Sequence, residues 1–510
     1  MASRPTHPTE ERTRSAATPA AGTTGPARSP RPATHRPVAV ASPTPRVIVP
    51  AVKTLEQELA GWGNYPRVAC RVRAPQTRTA TASAVETDVI ARGLGRSYGD
   101  AAVNGSGVVI DCTGLDRYLG FDETTGDLTC EAGTSLEQII ADFAPRGFFP
   151  PICPGTKFVT LGGCIANDIH GKAHHVDGSF SECVRGMTVL LADGQVVTAS
   201  RDERPDLFWA SFGGMGLLGI ILTATITLRK IETTFFQQRA IPVRNLDEML
   251  EAFETYDSQF PYSVAWLDSL ATGSHLGRGV LTVGDHAKLS DLPKKLRAHP
   301  LRVTSPSPLA VPIDPPSGVL NGATIRVLNM VLDQVQSRGA AIAHYEKFFF
   351  PLDFVGDWNR GYGKRGFTQY QFVIPLEDGP RRIRAMLERI ATSGQAPFLN
   401  VLKKMGKARE GLLSFPFEGY TFAIDFPVRD GLEDLLTALD REVIDAGGRV
   451  YLGKDAFLDA PTFETMYPRV VEWRAVKKKY DPDGVFQSDL GRRVGPCCTP
   501  AQPKPPPPPN

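Results

Sequence analysis

The sequence predicts an α+β protein of two domains, the second built on a split βαβ antiparallel sheet, and three observations carry that prediction. Short β-branched runs alternate with Gly-rich turns and brief helical stretches between Val89 and Leu228. A series reading β-α-β-β-α-β occupies residues 368–454. The chain has 510 residues, 42% hydrophobic and 22% charged with a formal net charge of +2, enough to bury two or three cores.

Taken in order, residues 1–50 are mostly Ala, Pro, Thr, Ser and Arg, a mixture that cannot bury enough apolar surface to offset chain entropy, so they read as a disordered tail. Its basic residues suit either simple solubilisation or contact with an anionic lipid surface or acidic partner. The first domain spans 52–231. In it VVIDC (108–112) and GIILTATITL (219–228) read as strands, and MTVLLADGQVVTA (187–199) as a hairpin turning at Gly194. Leu136, Ile139, Ile140 and Phe143 recur at helical spacing after Thr134-Ser135, which supply capping oxygens, with Glu137 early where its charge suits the dipole.

The second domain spans 232–445, with an irregular Pro-rich insertion near 285–345 that reads as mobile or functional and holds one amphipathic piece around 325–335. Its sheet is read from strands TQYQFVIP (368–375), FLNVLKK (398–404), YTFAIDFP (420–427) and RVYLGK (449–454). One helix face carries Ile383, Met386, Leu387 and Ile390. Another runs from an Asp430 cap with Glu433 at the capping-box position, through Leu432, Leu435, Leu436, Leu439 and Val443, to Gly447. Period two sends Phe422, Ile424 and Phe426 to the helices and Thr421, Ala423 and Asp425 to the free face. By the same alternation Gln369 and Gln371 share a face, as do Leu399, Val401 and Lys403. Several amides and two lysines on an apolar sheet fit a site or a solvated polar face equally well. Residues 446–494 return to complete the first domain, and 495–510 form a disordered Pro-rich tail.

Composition excludes several classes. Eight Cys without a C-x-x-C pair or Cys/His ligand spacing argue for buried free thiols, with no structural metal. No apolar run reaches the roughly 18–20 residues of a membrane span, and the N-terminus lacks a signal-peptide core, which points to the cytoplasm. Near-zero net charge disfavours nucleic acid as a partner.

Gly214-Met215-Gly216-Leu217-Leu218-Gly219 matches the dinucleotide fingerprint by letter, but a strand-like run follows it where the Rossmann motif requires a helix. Two other clusters carry more information in combination. The first is Ala91-Arg92-Gly93-Leu94-Gly95-Arg96-Ser97-Tyr98-Gly99-Asp100-Ala101, whose glycines permit a tight loop with amides facing a diphosphate. The second is Pro154-Gly155-Thr156-Lys157 followed by Thr160-Leu161-Gly162-Gly163-Cys164-Ile165-Ala166-Asn167-Asp168-Ile169-His170-Gly171. Each alone could be an ordinary turn.

With FGGMGLLGIILTATITL further on, RGLGRSYGD and PGTKFVTLGGCIANDIHGK resemble the FAD-binding domain of the vanillyl-alcohol oxidase / p-cresol methylhydroxylase superfamily. YSVAWLD (262–268), PLDFVGDWNRGYGKRGFTQYQFVIP and YPRVVEWRAVKKKYDPDGVFQSDLGRR resemble, within it, the decaprenylphosphoryl-ribose 2-oxidases, over roughly 57–493. The resemblance implies a two-domain FAD-binding fold with a substrate cap. It puts Ala91 to Ala101 around the FAD diphosphate, with Gly155, Thr160, Leu161, Gly162, Gly163, Asn167, Asp168, Ile169, His170, Ile221 and Tyr451 as further cofactor walls. Tyr98 stands where many members carry the histidine that attaches FAD covalently, so non-covalent FAD is expected unless His170 or another nucleophile replaces it. Ala423 stands where close relatives often carry a Cys.

The activity implied is oxidation of the ribose 2-hydroxyl of decaprenylphosphoryl-ribose to a keto sugar, first half of an epimerisation for cell-wall arabinan, with an NADH-dependent reductase as partner. A soluble sugar-alcohol or aldonolactone oxidase using oxygen is the alternative. Lys454 is the first candidate for orienting the hydroxyl or removing its proton, since desolvation lowers a lysine pKa. His170 is the second. Lys172 and Lys403 suit the substrate phosphate, and Gln371 and Asn400 the sugar hydroxyls. A lipid-linked substrate implies peripheral membrane contact, on the cytoplasmic side or, alternatively, the periplasmic one. His174, His175, Phe349 and Phe350 read as loop and core residues, and Asp168 could serve only to fix its loop.

Overall fold

The computed structural model describes residues 52–268, 270–304, 310–311, 339–395 and 397–495. The N-terminal tail and, apart from Gly495, the C-terminal tail lie outside these, as do Cys497 and Cys498 and most of the 285–345 segment, its amphipathic piece included.

The first half holds two larger sheets and a two-stranded one that pairs Phe148–Phe149 with Arg229–Lys230. One has the order Thr54–Ala60, Arg67–Arg73, Val108–Asp111, Val89–Arg92; the first two strands are antiparallel and Val108–Asp111 runs parallel to both its neighbours. The other has the order Tyr118–Asp122, Asp127–Glu131, Ile220–Thr227, Val184–Leu190, Val196–Ser200, all antiparallel. The predicted hairpin pairs Leu190 with Val196 and turns at Gly194, whose φ of 82° favours glycine. The helix Leu136–Phe143 is capped by Ser135, and Gln138 closes the capping box. Gly214–Gly219 lies between the helix Pro205–Ser211 and the strand Ile220–Thr227, the reverse of a Rossmann turn.

The second half is an eight-stranded antiparallel sheet in the order Ala340–His344, Phe235–Val243, Gly279–His286, Tyr262–Leu267, Asn400–Met405, Gly419–Pro427, Phe367–Ile374, Arg449–Val450. Helices Gly379–Thr392 and Leu432–Asp445 bury Ile383, Met386, Leu387, Ile390, Leu435, Leu436, Leu439 and Val443. Burial of each such side chain contributes roughly 1.5–3 kcal/mol. Every residue of Phe367–Ile374 and Gly419–Pro427 is buried, so the sheet is covered on both faces.

Two expectations need correcting. Asp430 does not cap its helix: Gly431 holds the N-cap with a left-handed φ of 76°, and Asp430 accepts from Arg365 Nη2 at 2.9 Å. The last strand ends at Val450, so Lys454 sits in the turn beyond it, where its amide donates to Tyr451 O at 2.9 Å.

The C-terminal segment packs on the first half. Val89 bridges Phe486 in parallel, and Gln487 N donates to Val89 O at 2.9 Å. Trp473 Nε1 donates to Ala210 O at 2.9 Å, and buried Lys477 Nζ to Phe486 O at 2.8 Å and to Asp481. Among the described residues no helix is long and apolar enough to cross a membrane.

Candidate functional site

A cavity of about 440 Å³ lies between the first half and the free face of the large sheet. One wall is the loop that follows the strand Val89–Arg92. Gly95 turns it with a φ of 64°, and Gly93 lets it approach so closely that a Cβ would meet Thr160 Oγ1 at 2.2 Å. Arg92 braces the loop from below by donating to Ala60 O at 2.7 Å and Ala102 O at 3.0 Å. The amides of Leu94, Gly95, Arg96 and Ser97 have no acceptor among the described residues, a row of free donors on the cavity wall. In the short helix Leu161–Ala166, by contrast, the amides of Leu161, Gly162 and Gly163 are taken by Thr134 O, Ala132 O and Thr160 Oγ1. Asn167 joins the walls: Ser97 Oγ donates to its Oδ1 at 3.3 Å and Tyr451 OH to its carbonyl at 2.9 Å.

The opposite wall is the sheet face read from period two. Gln369, Gln371, Leu399, Val401, Lys403 and Ala423 line the cavity together with Lys454. Gln371 Nε2 donates to His170 Nε2 at 3.0 Å and Thr421 Oγ1 at 3.1 Å. An amide donor on Nε2 leaves the imidazole proton on Nδ1, which is buried without a partner among the described residues. Burial, then Lys403, His174 and Lys454, hold His170 well below the usual histidine pKa, so it is neutral. Gln369 Nε2 donates to Asp425 Oδ1 at 2.5 Å, and Tyr362 OH to Asp425 Oδ2 at 3.3 Å. Lys454 Nζ lies 4.0 Å from the centre of the Tyr98 ring. Burial lowers its pKa, Asp425 opposes that shift and Lys403 adds to it; burial in turn raises Asp425. Burial pushes Lys403 down to about 8. Neither ammonium has a hydrogen-bond acceptor among the described residues.

Most residues read from the sequence fall on this cavity: Ala91 to Tyr98, Ala101, Gly155, Thr160, Gly162, Gly163, Asn167, Ile169, His170, Ile221, Gln371, Lys403, Ala423, Tyr451 and Lys454. Six do not. Gly99 packs on the Asp455 backbone, where a Cβ would meet Asp455 O at 1.9 Å, and Asp100 turns away to Arg493. Leu161 is a core side chain. Asp168 faces Ser179, Ser181 and Ser414. Lys172 donates to Phe348 O beneath the Phe348 and Phe349 rings and lines a separate small cavity. Asn400 is fully buried with both amide atoms unpartnered among the described residues, and alternation with Val401 puts it on the helix side of the sheet.

The sequence reading missed Trp62 and the 352–358 loop. Arg96 stacks 3.9 Å from the Trp62 ring centre and donates through Nε to Phe158 O at 3.1 Å. Asp353 accepts from Lys157 N at 2.9 Å and Thr156 Oγ1 at 3.1 Å, bringing Leu352, Val355 and Trp358 to the cavity. The DWNRGYG run at 357–363 was the available signal, but nothing local in it indicates that partner.

Ala423 stands in register between Gln371 and Val401. Cys112 is the cysteine among the cavity-lining residues, and burial pushes its thiol up to about 12. Ala423→Cys is therefore expected to gain labelling at position 423 by a thiol-directed reagent, read by peptide mapping. Wild-type protein should show none within the cavity.

Residues 76–200 match the FAD binding domain family, and residues 364–494 the D-arabinono-1,4-lactone oxidase family. The chain is 42% identical over 458 residues to a decaprenylphosphoryl-β-D-ribose oxidase of Mycolicibacterium smegmatis, covering 86% of this chain and 98% of the relative. An uncharacterized protein of Streptomyces coelicolor is 32% identical over 373 residues, 71% of this chain and 100% of the relative. An L-gulono-1,4-lactone dehydrogenase of Mycobacterium tuberculosis is 23% identical over 450 residues, 85% and 98%. The geometry fits FAD: the four amides of Leu94 to Ser97, without acceptors among the described residues, suit a diphosphate.

Proposed function

The chain belongs to the decaprenylphosphoryl-β-D-ribose oxidase family, and from that premise we propose that its cavity oxidises the ribose 2-hydroxyl of a polyprenylphosphoryl-ribose to the 2-keto sugar. The protein is an FAD-dependent oxidoreductase. One observation carries the reading: a loop of amides without acceptors among the described residues faces, across one cavity, Lys403 on the sheet and Lys454 on the turn beyond it, neither with a hydrogen-bond acceptor among those residues. The sheet with its two helices acts as the substrate cap, a split βαβ unit extended by four further strands. A separate NADH-dependent reductase returns the keto sugar as the arabinose epimer used for cell-wall arabinan. The lipid-linked substrate calls for peripheral contact with a membrane surface, which we place on the cytoplasmic side.

Bound FAD supplies the acceptor for hydride from the carbon bearing the hydroxyl. The loop Gly93–Ser97 would hold its diphosphate, and with Tyr98 in place of the linking histidine and its hydroxyl accepting from Gln369 Nε2, the cofactor would be held without a histidyl bond there. Lys454 takes the hydroxyl proton. Its burial keeps a fraction of the amine neutral near physiological pH, as a base in that role requires. His170, neutral and tied through Nε2 to Gln371, orients the sugar with its free Nδ1–H. Gln371 supplies a further contact to sugar hydroxyls, and Ala423 leaves room beside it.

Lys403 takes the substrate phosphate. A phosphodiester keeps its charge between pH 7 and 9.5, whereas Lys403 loses its proton above about 8. Affinity for the lipid sugar is expected to fall as pH rises through that value, approaching roughly tenfold per pH unit. Lys403→Arg should bind with no such decline, since a guanidinium stays charged. A wild-type Kd that is flat across this range would remove Lys403 from the phosphate site.

Anaerobic titration of the holoenzyme tests the whole reading. Polyprenylphosphoryl-ribose is expected to bleach the flavin absorbance and a sugar alcohol to leave it unchanged. Bleaching by the sugar alcohol alone would transfer the protein to the soluble sugar-alcohol or aldonolactone oxidases, a reading supported by the 23% relative. Acid precipitation should release the flavin into the supernatant.

A further inference from the structure

We propose that Arg493 is a positioning residue for the oxidation: one buried guanidinium fastens the glycine loop of the cofactor wall to the turn that carries Lys454. The inference rests on the reading of Lys454 as the group that takes the hydroxyl proton.

Arg493 lies on the short C-terminal helix Asp489–Val494, far in sequence from either partner, with its side chain 9% exposed. Nε and Nη2 donate to the two oxygens of Asp100 at 2.9 and 2.6 Å, a bidentate pair that fixes the carboxylate in plane as well as in place. Nη1 donates to Asp455 Oδ2 at 2.8 Å and to Leu458 O at 2.5 Å. Asp100 ends the loop that carries Tyr98, and Asp455 follows Lys454 directly. The two segments also touch through their backbones. Tyr98 N donates to Gly453 O at 3.0 Å, and Gly99 has no room for a Cβ against Asp455 O. Leu490 N donates to Asp100 O at 3.3 Å, anchoring the same helix to the same loop.

The consequence appears where the two segments meet, at Lys454 Nζ over the Tyr98 ring. Tyr98 is also held by Gln369 Nε2, which donates to its hydroxyl at 3.4 Å, but Lys454 Nζ has no hydrogen-bond acceptor among the described residues, so its placement depends on the backbone beneath it. Asp455 also accepts from Phe457 N at 2.8 Å and Leu458 N at 3.0 Å, which makes the turn rigid as a unit. Arg493 sets the field as well. It places one positive charge between two buried carboxylates at the base of the turn that carries Lys454, whose ammonium already faces Asp425 and Lys403, so removing it adds negative charge to that set and favours the protonated form.

The test uses holoenzyme and reads the pH dependence of flavin reduction by polyprenylphosphoryl-ribose, with FAD affinity as the second readout. In Arg493→Met the midpoint of the acid limb is expected to rise by about one pH unit, and the limiting rate to fall on the order of 10²-fold as Lys454 loses its placement. FAD should dissociate at least about tenfold more readily, because the loop of free amides is no longer held. Asp455→Asn is expected to move the midpoint down, and the double variant to return it near the wild-type value. Arg493→Lys should recover the midpoint better than the rate, since an ammonium restores charge without the fork. If Arg493→Met does not fold, the direction of the Asp455→Asn shift decides. Midpoint, rate and FAD affinity all unchanged in Arg493→Met, or an unshifted midpoint in Asp455→Asn, would overturn the proposal. An acid limb that survives in Lys454→Ala would sink the reading of Lys454 instead, and FAD affinity alone would then decide the role of Arg493.

Discussion

Lys454→Ala is expected to yield a folded protein that keeps its FAD and binds polyprenylphosphoryl-ribose, but reduces the flavin roughly 10³-fold more slowly, within the range that a positioned general base contributes. The sign of the pH dependence follows from burial. Lys454 is held below the usual lysine pKa, so in wild type the reduction rate rises with pH as the amine becomes free, over a window lower than an exposed lysine would give. The variant should lose that limb. Lys454→Arg separates base from charge: a guanidinium keeps the positive charge over Tyr98 but cannot accept a proton at these pH values, so it too should be slow. Stopped-flow reduction under anaerobic conditions measures both. A Lys454→Ala enzyme with wild-type rates, or an arginine variant with restored rates, would show that Lys454 does not take the proton.

Local and periodic features of this fold were legible in the chain; features made by distant segments were not. Period two in YTFAIDFP and TQYQFVIP assigned Gln369, Gln371 and Ala423 to the cavity face, because pleating fixes side-chain direction whatever the sheet packs against. The same rule, applied one residue further, would have sent Asn400 to the helix side, since its neighbours Leu399 and Val401 face the cavity. The rejection of Gly214–Gly219 as a Rossmann turn rested on the strand that follows it, and the observed order of helix, turn and strand agrees, while Met215, Gly216 and Gly219 line the cavity in a different setting. Lys172 was misassigned for a different reason: proximity to His170 in sequence says nothing about which wall a side chain leaves, and its ammonium turns to Phe348 O. Trp62, the 352–358 loop and Arg493 reach the site or its supports only through tertiary contact. The helix start at Gly431 was missed because Asp430 offered a stronger capping signal, while the backbone there needed a left-handed residue.

Asp168 shows how much stability hangs on a residue that faces away from the cavity. Its carboxylate is fully buried, with Ser179 Oγ donating at 2.9 Å, Ser181 N at 3.1 Å and Ser414 Oγ as a third donor. Burial, only partly offset by Ser414, Ser179 and Ser181, raises its pKa to about 6 from 3.8. The folded state therefore keeps a proton that the unfolded chain releases between about pH 4 and 6, and the contribution of this one group to stability falls as pH rises through that window, by roughly 3 kcal/mol in all, whatever the buried histidines add in the opposite direction. Asp168→Asn removes the titration and keeps an acceptor, and asparagine tolerates the local φ of 40°. Measured against wild type, its stability is expected to gain across the window and to equal or exceed wild type at pH 7.5. Asp168→Ala strands Ser181 N and the Ser414 hydroxyl, at about 1–3 kcal/mol each. Its loss should be largest near pH 5 and shrink toward pH 7.5, where wild type bears its own buried charge. FAD affinity should fall alongside, because the same turn presents Asn167 and His170 to the cavity. Denaturant unfolding at pH 5 and 7.5 distinguishes the three proteins. A wild-type stability that does not fall relative to Asp168→Asn between those values, or an alanine variant as stable as wild type at pH 5, would show that the carboxylate is not the acceptor on which this loop depends.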